Sequence, residues 1–306
     1  MPKNQDKTSI KYGIIFQNNR EHIKLIYLII TSISSMVLQN GLFNYVTKKR
    51  LNSNSSILSF NFFTYIVCII TFGIIMLTGT ISLYTVILGL LFGVVTFLSN
   101  TYKLFALTKG PMHLTLLFTT SSMIIPSLSG VFFGEGFSPY KLAVIAVLLV
   151  FLYLSFEKNN STKIGGKWFF FCLLAFLFQG AIGILQKVHQ SSTYKDETAG
   201  FLFIAFICAS IFSILRNKGK IDSSIKSKKI IFICLICGAC TFAMNFINLK
   251  LSGMLPSQLF FPLVNGSSIV LSSIMSVVLF KEHLTKKQTI GLIGGILSLI
   301  AICLVP

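Results

Sequence analysis

The stretch GVVTFLSN at residues 93–100 recurs as GACTFAMN at residues 238–245, with the glycine, threonine, phenylalanine and asparagine kept in place. Two more matches accompany it: VFFGE at residues 131–135 with VLFKE at 278–282, and LQN at residues 38–40 with FQG at 178–180. Matches that keep their order along a chain indicate an internal repeat. The sequence therefore predicts two related halves, the alternative being chance similarity between apolar segments.

The composition is that of a membrane protein. Of 306 residues, 54% are hydrophobic and 11% are charged, whereas a soluble domain carries about 25% charged residues. The net charge of +18 lies mainly between long apolar runs. It therefore does not form the basic face of a nucleic-acid-binding protein.

Ten apolar runs approach the length of about 20 residues that a transmembrane helix needs. They cover residues 24–47, 57–78, 81–107, 112–134, 139–156, 167–187, 199–215, 229–250, 256–280 and 288–305. The predicted organisation is a polar N-terminal tail (1–23), a first five-helix repeat (24–156), a linker (157–166) and a second five-helix repeat (167–306). Because five is odd, the second repeat would enter the membrane from the opposite side. The predicted fold is an all-α polytopic membrane protein of ten transmembrane helices in two inverted five-helix repeats.

A second sequence motif is clearest in the second half of the chain. LSGMLP at residues 251–256 leads to FKEHLTKKQ at 280–288, so that an acidic residue ends the ninth helix, and Gln288 and Gly291 open the tenth. The first half has a looser version, GEGFSP at residues 134–139. In these motifs the chain resembles the EamA-type ten-helix members of the drug/metabolite transporter superfamily. The resemblance implies movement of small organic solutes through a cavity built mainly by helices 1, 3, 4, 6, 8 and 9.

Polar residues of the predicted third and eighth helices share one face of each helix. The face of the third helix comprises Gly93, Thr96, Asn100 and Lys103, and the face of the eighth comprises Gly238, Thr241, Asn245 and Asn248. Polar groups are costly in lipid, so such a face is usually aimed at protein or at a wet cavity. We predict that Asn100 and Asn245 face each other across the axis between the halves and line a substrate site. The alternative is a pair of interhelical hydrogen bonds that hold the bundle together.

The predicted substrate-binding set adds residues from neighbouring helices. It comprises Asn100, Asn245, Gln39, Gln179, Lys103, His113, Asn248, Gln258 and Asn265. Lys103 either places its ammonium at the mouth of the cavity, where it would favour a carboxylate or phosphate, or reaches the lipid headgroups. His113 would add a charge that depends on pH. Pro126 and Pro262, in the fourth and ninth helices, are expected to bend them.

All eight acidic residues lie at or beyond the ends of the predicted spans. We therefore expect no deep carboxylate of the kind that a proton-coupled cation exporter uses. Glu135 and Glu282 are expected to cap the helices that follow them, the fifth and the tenth. Facilitated diffusion, exchange and coupling through His113 all stay open.

Enzyme chemistry is not predicted. Cys234, Cys237 and Cys240 have the spacing of a metal motif, but no second cluster completes the four ligands that zinc needs. The chain also lacks a pairing of histidine and acid within the spans. We predict no cofactor and no catalytic residues. The expected partners are a small-molecule substrate and the lipid bilayer, not nucleic acid, with a homodimer as a possible assembly.

The sequence does not determine the orientation of the chain in the membrane. Sixteen Lys and Arg residues lie in the connections after helices 1, 3, 5, 7 and 9, and nine lie on the other side with both termini. The positive-inside rule therefore places the termini outside the cytoplasm, whereas the family resemblance implies cytoplasmic termini.

From the sequence, the function expected is transport of a small polar organic metabolite, such as an amino acid, across the cell membrane. Alternating access between the two repeats would move it. The alternatives are an exchanger of nucleotide sugars or other anionic metabolites, and a membrane scaffold subunit without transport.

Overall fold

The computed structural model describes residues 5–49, 51, 53–77, 79–110, 112–136, 138–154, 165–280 and 286–304. Side chains are described for these residues apart from 5–20, 48–49, 112–114, 117, 152, 273, 275–280 and 288. This part of the chain is helical, and no β-strand occurs in it. The predicted ten-helix, all-α fold is confirmed.

Six of the ten helices are continuous and long: α1 (Gln5–Lys49), α2 (Asn54–Met76), α3 (Leu83–Lys109), α6 (Gly166–Gln190), α7 (Thr198–Arg216) and α8 (Lys228–Met254). Helix α5 (Pro139–Leu154) is shorter than these six helices. Helix α10 (Lys286–Leu304) has a shorter apolar part, Thr289–Leu304. Helix α4 consists of Met112–Thr120, Ser121–Met123, Ile124–Ser129 and Gly130–Phe133, and α9 of Ser257–Phe261, Pro262–Gly266 and Ser267–Phe280. A short 3-10 helix, Ser223–Lys226, lies between α7 and α8.

Within the described residues, six helices are long and apolar enough to cross a membrane by length and composition, with Glu21–Thr47 as the apolar part of α1. Helix α1 begins at Gln5, so it continues through most of the polar N-terminal segment. Shorter apolar helices cover Phe118–Phe133, Pro139–Phe151 and Thr289–Leu304. The described residues therefore form an integral membrane protein.

Prolines interrupt the regular hydrogen bonding of α4 and α9, as expected. A proline has no N–H to donate and its ring collides with the preceding turn. Pro262 begins a π-helical turn, and Pro126 follows a 3-10 turn. In α9, Asn265 Nδ2 donates to the backbone oxygen of Phe261 at 3.0 Å. The break in α4 lies near the middle of that helix, whereas the break in α9 begins at its sixth residue.

Helix packing repeats when each helix is exchanged for the one five places away. Helix α3 packs against α6 and α7, as α8 packs against α1 and α2. Helix α4 packs against α6, as α9 packs against α1. Helices α2 and α7, α4 and α9, and α5 and α10 pack against their own equivalents. The packing therefore has the pattern of an approximate two-fold axis between the halves.

Hydrogen bonds define the two ends of the bundle. At the first end, Glu135 after α4 accepts from the Ser257 amide that opens α9, and Glu197 before α7 accepts from Ser82 before α3. At the second end, the Ser53 hydroxyl before α2 donates to Asp222 before α8 at 3.0 Å. The first end thus holds connections α2–α3, α4–α5, α6–α7 and α8–α9, and the second end holds α1–α2 and α7–α8.

Equivalent connections touch at opposite ends. The Glu197–Ser82 contact joins connection α6–α7 to α2–α3 at the first end. The equivalent of connection α6–α7 is α1–α2, and the equivalent of α2–α3 is α7–α8. The Ser53–Asp222 contact joins these two equivalent connections at the second end. A two-fold relation that also exchanges the ends is the geometry expected of inverted repeats.

The repeated glycine of the two matched stretches has a packing role. A Cβ on Gly93 would lie 2.3 Å from the Ala205 backbone oxygen of α7, and one on Gly238 would lie 2.4 Å from Val67 Cβ of α2. Beside these crossings, Cys208 Sγ donates to the Leu90 oxygen at 3.4 Å and Cys68 Sγ to the Gly238 oxygen at 3.5 Å. Gly93 and Gly238 therefore mark close helix crossings, α3 with α7 and α8 with α2.

Candidate functional site

Four helices form a ring at the interface of the two halves. Helix α1 packs against α3 and α8, and α6 packs against the same two helices. Helices α3 and α8, and likewise α1 and α6, do not form principal interfaces with each other. Each pair is therefore placed across the ring, with one member from each half. We call α1, α3, α6 and α8 the central ring.

The two matched glutamines each bind a ring helix of the other half. Gln39 is 4% exposed, and its Nε2 donates to Thr241 Oγ1 of α8 at 2.5 Å. Gln179 Oε1 accepts from Ser99 Oγ of α3 at 2.9 Å. The amides predicted from the LQN and FQG match thus occupy equivalent interfaces, α1 with α8 and α6 with α3.

Asn100 and Asn245 make different contacts. Asn100 Nδ2 donates to Tyr65 Oη of α2 at 3.1 Å, and Asn245 Nδ2 donates to the Thr241 backbone oxygen within its own helix at 2.8 Å. Among the described side chains, no hydrogen bond joins the two asparagines. They lie on helices across the ring from each other, so their shared role in a site stays a prediction.

Lys103 is held inside the bundle by α1. Its Nζ donates to Asn40 Oδ1 at 2.9 Å and lies 5.7 Å from the centroid of the Phe43 ring. The lysine is only partly exposed. Of the two alternatives, this geometry favours an ammonium directed at protein over one that reaches the headgroups.

The remaining predicted residues are distributed around the ring. Asn248 Oδ1 accepts from Ser32 of α1. Gln258 is 5% exposed; its Oε1 accepts from the Ser138 amide at the first end, and its Nε2 has no partner among the described residues. Asn265 binds within α9. The side chain of His113 lies outside the described residues.

Polar contributors absent from the predicted set include Asn40, Ser99, Tyr65 and Ser32. Asn40 and Ser99 could have been found by their place beside the matched Gln39 and Asn100, although the repeat has Gly180 and Met244 at the equivalent positions. Tyr65 could not be found in this way, because its contact depends on how α2 packs against α3. Thr96 also lies in the ring; it is 4% exposed and its hydroxyl has no partner among the described residues.

Glu135 corrects another expectation. It was expected to cap α5, but its Oε2 accepts from the Ser257 amide of α9 at 2.7 Å, and its Oε1 forms an ion pair with Lys187 of α6. The carboxylate therefore caps a helix of the other half. Sequence reasoning assigned it to the next helix along the chain because tertiary contacts are not visible there. Glu282, its repeat counterpart, lies outside the described residues.

A cavity of about 700 Å³ opens at the first end. It is lined by the ends of α2 and α8 and by the connection before α7, including Phe246, Lys250, Gln190 and Lys195. Lys250 Nζ lies 4.2 Å from the centroid of the Phe246 ring. Glu197 also lines this cavity; burial raises the pKa of Glu197, but hydrogen bonds from Thr85 and Ser82 outweigh burial and lower it below the ordinary value.

Comparisons with known proteins agree with this architecture. The model of the EamA-like transporter family matches residues 166–304. None of the curated proteins matches the chain. A solved structure described only as "Crystal structure of protein" has a TM-score of 0.71 at 13% sequence identity, and the alignment covers 92% of this chain and 96% of that one. At this identity the likeness concerns the fold alone. Residues 166–304 thus match the EamA-like transporter family of the drug/metabolite transporter superfamily, whose members are membrane transporters of small molecules.

Proposed function

We propose that the protein carries a small polar organic metabolite, an amino acid or a similar zwitterion, across the plasma membrane by alternating access. The substrate would bind within the central ring, between two inverted repeats. The observation that carries the proposal is a pair of amide contacts at equivalent interfaces, Gln39 to Thr241 between α1 and α8, and Gln179 to Ser99 between α6 and α3.

The chemistry of the ring supports this substrate class. Amides offer both donors and acceptors, and Lys103 adds an ammonium that could bind a substrate carboxylate. The buried Thr96 hydroxyl, which has no partner among the described residues, offers a further polar contact. A zwitterion needs donors for its carboxylate and acceptors for its ammonium, and amides and hydroxyls supply both without fixed charge.

The packing supports alternating access. Contacts that recur when helices five places apart are exchanged, at opposite ends of the bundle, are what two inverted repeats produce. In carriers of this plan, one repeat or bundle rocks against the other around a site near the membrane midplane. The central ring lies between the halves, where such a motion would alternately expose it.

Counterflow in proteoliposomes tests the proposal. Liposomes loaded with an unlabelled amino acid should take up the labelled one saturably, for at least one member of a panel. Asn100→Leu and Asn245→Leu should lower the initial rate by roughly tenfold or more, as for loss of a binding group in a site built to hydrogen-bond it. The matched control is Asn61→Leu, since Asn61 is a buried amide of α2, outside the ring, bonded to Thr101.

The results separate the alternatives. Flux of nucleotide sugars or other anions without flux of amino acids would favour an anion exchanger, for which Lys103 is the supporting observation; Lys103→Gln should then abolish the preference for anions. Absence of flux for every solute in folded, reconstituted protein would favour a membrane scaffold. Unchanged flux in both ring variants would remove Asn100 and Asn245 from the site.

A further inference from the structure

A largely buried ion pair joins the two halves at the first end, where α4, α6 and α9 meet. Lys187, near the end of α6, pairs with Glu135, and the exposed fractions of the two side chains are 8% and 17%. Lys187 Nζ also donates to the backbone oxygens of Ser252 at 2.8 Å and Leu255 at 3.4 Å. Glu135 Oε2 binds the Ser257 amide. One ion pair thus connects the α4–α5 connection of the first half to α6, α8 and α9 of the second.

Close packing surrounds the pair. A Cβ on Gly183 of α6 would lie 2.7 Å from Pro126 of α4 and 3.0 Å from Phe261 of α9. A Cβ on Gly130 would lie 2.2 Å from Glu135 Oε2. Helices α4, α6 and α9 therefore meet at this end without space between them. A substrate could not pass between these three helices at the first end while the contacts persist.

Lys187 has no lysine at the aligned position of the other half. Lys187 lies eight residues after Gln179, and the residue eight after Gln39 is Thr47 of α1. The Thr47 hydroxyl donates to the backbone oxygens of Phe43 and Asn44 in its own helix. An approximately symmetric carrier thus holds its first end with an ammonium that its repeat lacks at that position.

We propose that Lys187 and Glu135 form a latch that holds α4, α6 and α9 together at the first end and must open for the central ring to face that side between these helices. This inference rests on the proposed alternating access. A buried pair suits the task because separating it leaves a charge without a partner, so the pair is either fully made or fully broken. Two discrete arrangements are what a gate requires.

Hydrogen–deuterium exchange of the full-length protein in lipid nanodiscs tests the latch. In Glu135→Gln, exchange should rise by roughly tenfold in peptides at the first end, covering 124–135 and 255–262, as expected when a local closed state is lost. Exchange should fall at the second end, in peptides covering 104–109 and 228–234, because the ring closes there when the first end opens.

Glu197→Gln is the matched control. Glu197 is also a carboxylate at the first end that binds a backbone amide, but it joins α3 and α7, which already pack closely along Gly89 and Gly93. Its removal should leave the second end unchanged. The latch is wrong if exchange in Glu135→Gln rises at the first end without falling at the second, which would make the pair a structural staple, or if neither end changes.

The two experiments distinguish failure of the latch proposal from failure of the proposed function. Reciprocal exchange in a protein that moves no solute in proteoliposomes would support the latch and contradict the transport proposal. Flux without reciprocal exchange would support transport and contradict the latch. Lys187→Arg keeps the positive charge and should retain native exchange, which guards against variants that fail to fold.

Discussion

At the scale of single residues, the structure shows that several predicted polar side chains are hydrogen-bonded to side chains of other helices. Gln39 and Gln179 were predicted from their matched places in the two halves, and Lys103 and Asn248 from their place on helix faces. Each binds a neighbouring helix of the ring. Sequence periodicity could identify these side chains because the repeat marked them twice. It could not identify their partners, since a partner such as Tyr65 depends on which helices meet.

Asp222 provides a residue-level prediction about pH. The Ser224 backbone amide donates to its carboxylate at 2.9 Å, and this bond, with those from the Ser224 and Ser53 hydroxyls, holds the pKa of Asp222 below its ordinary value. A lowered pKa means that the folded state binds the proton more weakly than the unfolded state, so the stabilisation is present above the unfolded pKa of about 3.9 and is lost as pH falls.

Thermal unfolding of the purified protein between pH 7 and pH 3 checks this expectation. Asp222→Asn should lower the melting temperature at pH 7, and the difference from the unmodified protein should shrink as the pH falls. Asp196→Asn removes an exposed carboxylate and serves as the control for net charge. A difference in melting temperature that stayed constant down to pH 3 would show that the charge of the Asp222 carboxylate does not stabilise the folded protein.

At the scale of helices, the ten elements follow from hydrophobic runs, and their interruptions follow from Pro126 and Pro262. The close crossings were not foreseen. Gly93 and Gly238 recur in the matched stretches, but their recurrence was interpreted as part of a polar face. Each instead allows the backbones of two helices to approach, α3 with α7 and α8 with α2. Small residues at a crossing have no signal that separates them from small residues beside a cavity.

Gly93→Ala tests the α3–α7 crossing. The added Cβ would lie 2.3 Å from a backbone oxygen and 2.7 Å from Cys208 Cβ, neither of which can move without shifting α7. We expect a loss of stability of roughly 1–3 kcal/mol, the usual cost of overpacking a well-packed interior. Gly166→Ala, where nothing lies within 4 Å of the added atom, is the control. Equal melting temperatures for the two variants would contradict the close crossing.

At the scale of the whole molecule, the account depends on two halves that enter the membrane in opposite directions. The odd number of helices in each half led to this expectation, and the exchange of contacts between the two ends supports it. The ion pair of Lys187 and Glu135 was beyond sequence reasoning, because it joins residues 52 positions apart that belong to different halves. Orientation is not determined by the fold, since the charge distribution and the family resemblance point in opposite directions.

Labelling of single cysteines from one side of the membrane tests the central claim most directly. Cys303 is the exposed native cysteine among the described residues and would be replaced by serine. Asn54→Cys, next to connection α1–α2, and Lys195→Cys, in the equivalent connection α6–α7, both introduce a thiol at an exposed position. With an impermeant maleimide on intact cells, inverted halves predict that one thiol reacts at once and the other only after permeabilisation. If both thiols react from the same side, the two halves are not inverted, and the central ring is not the meeting point of opposed repeats.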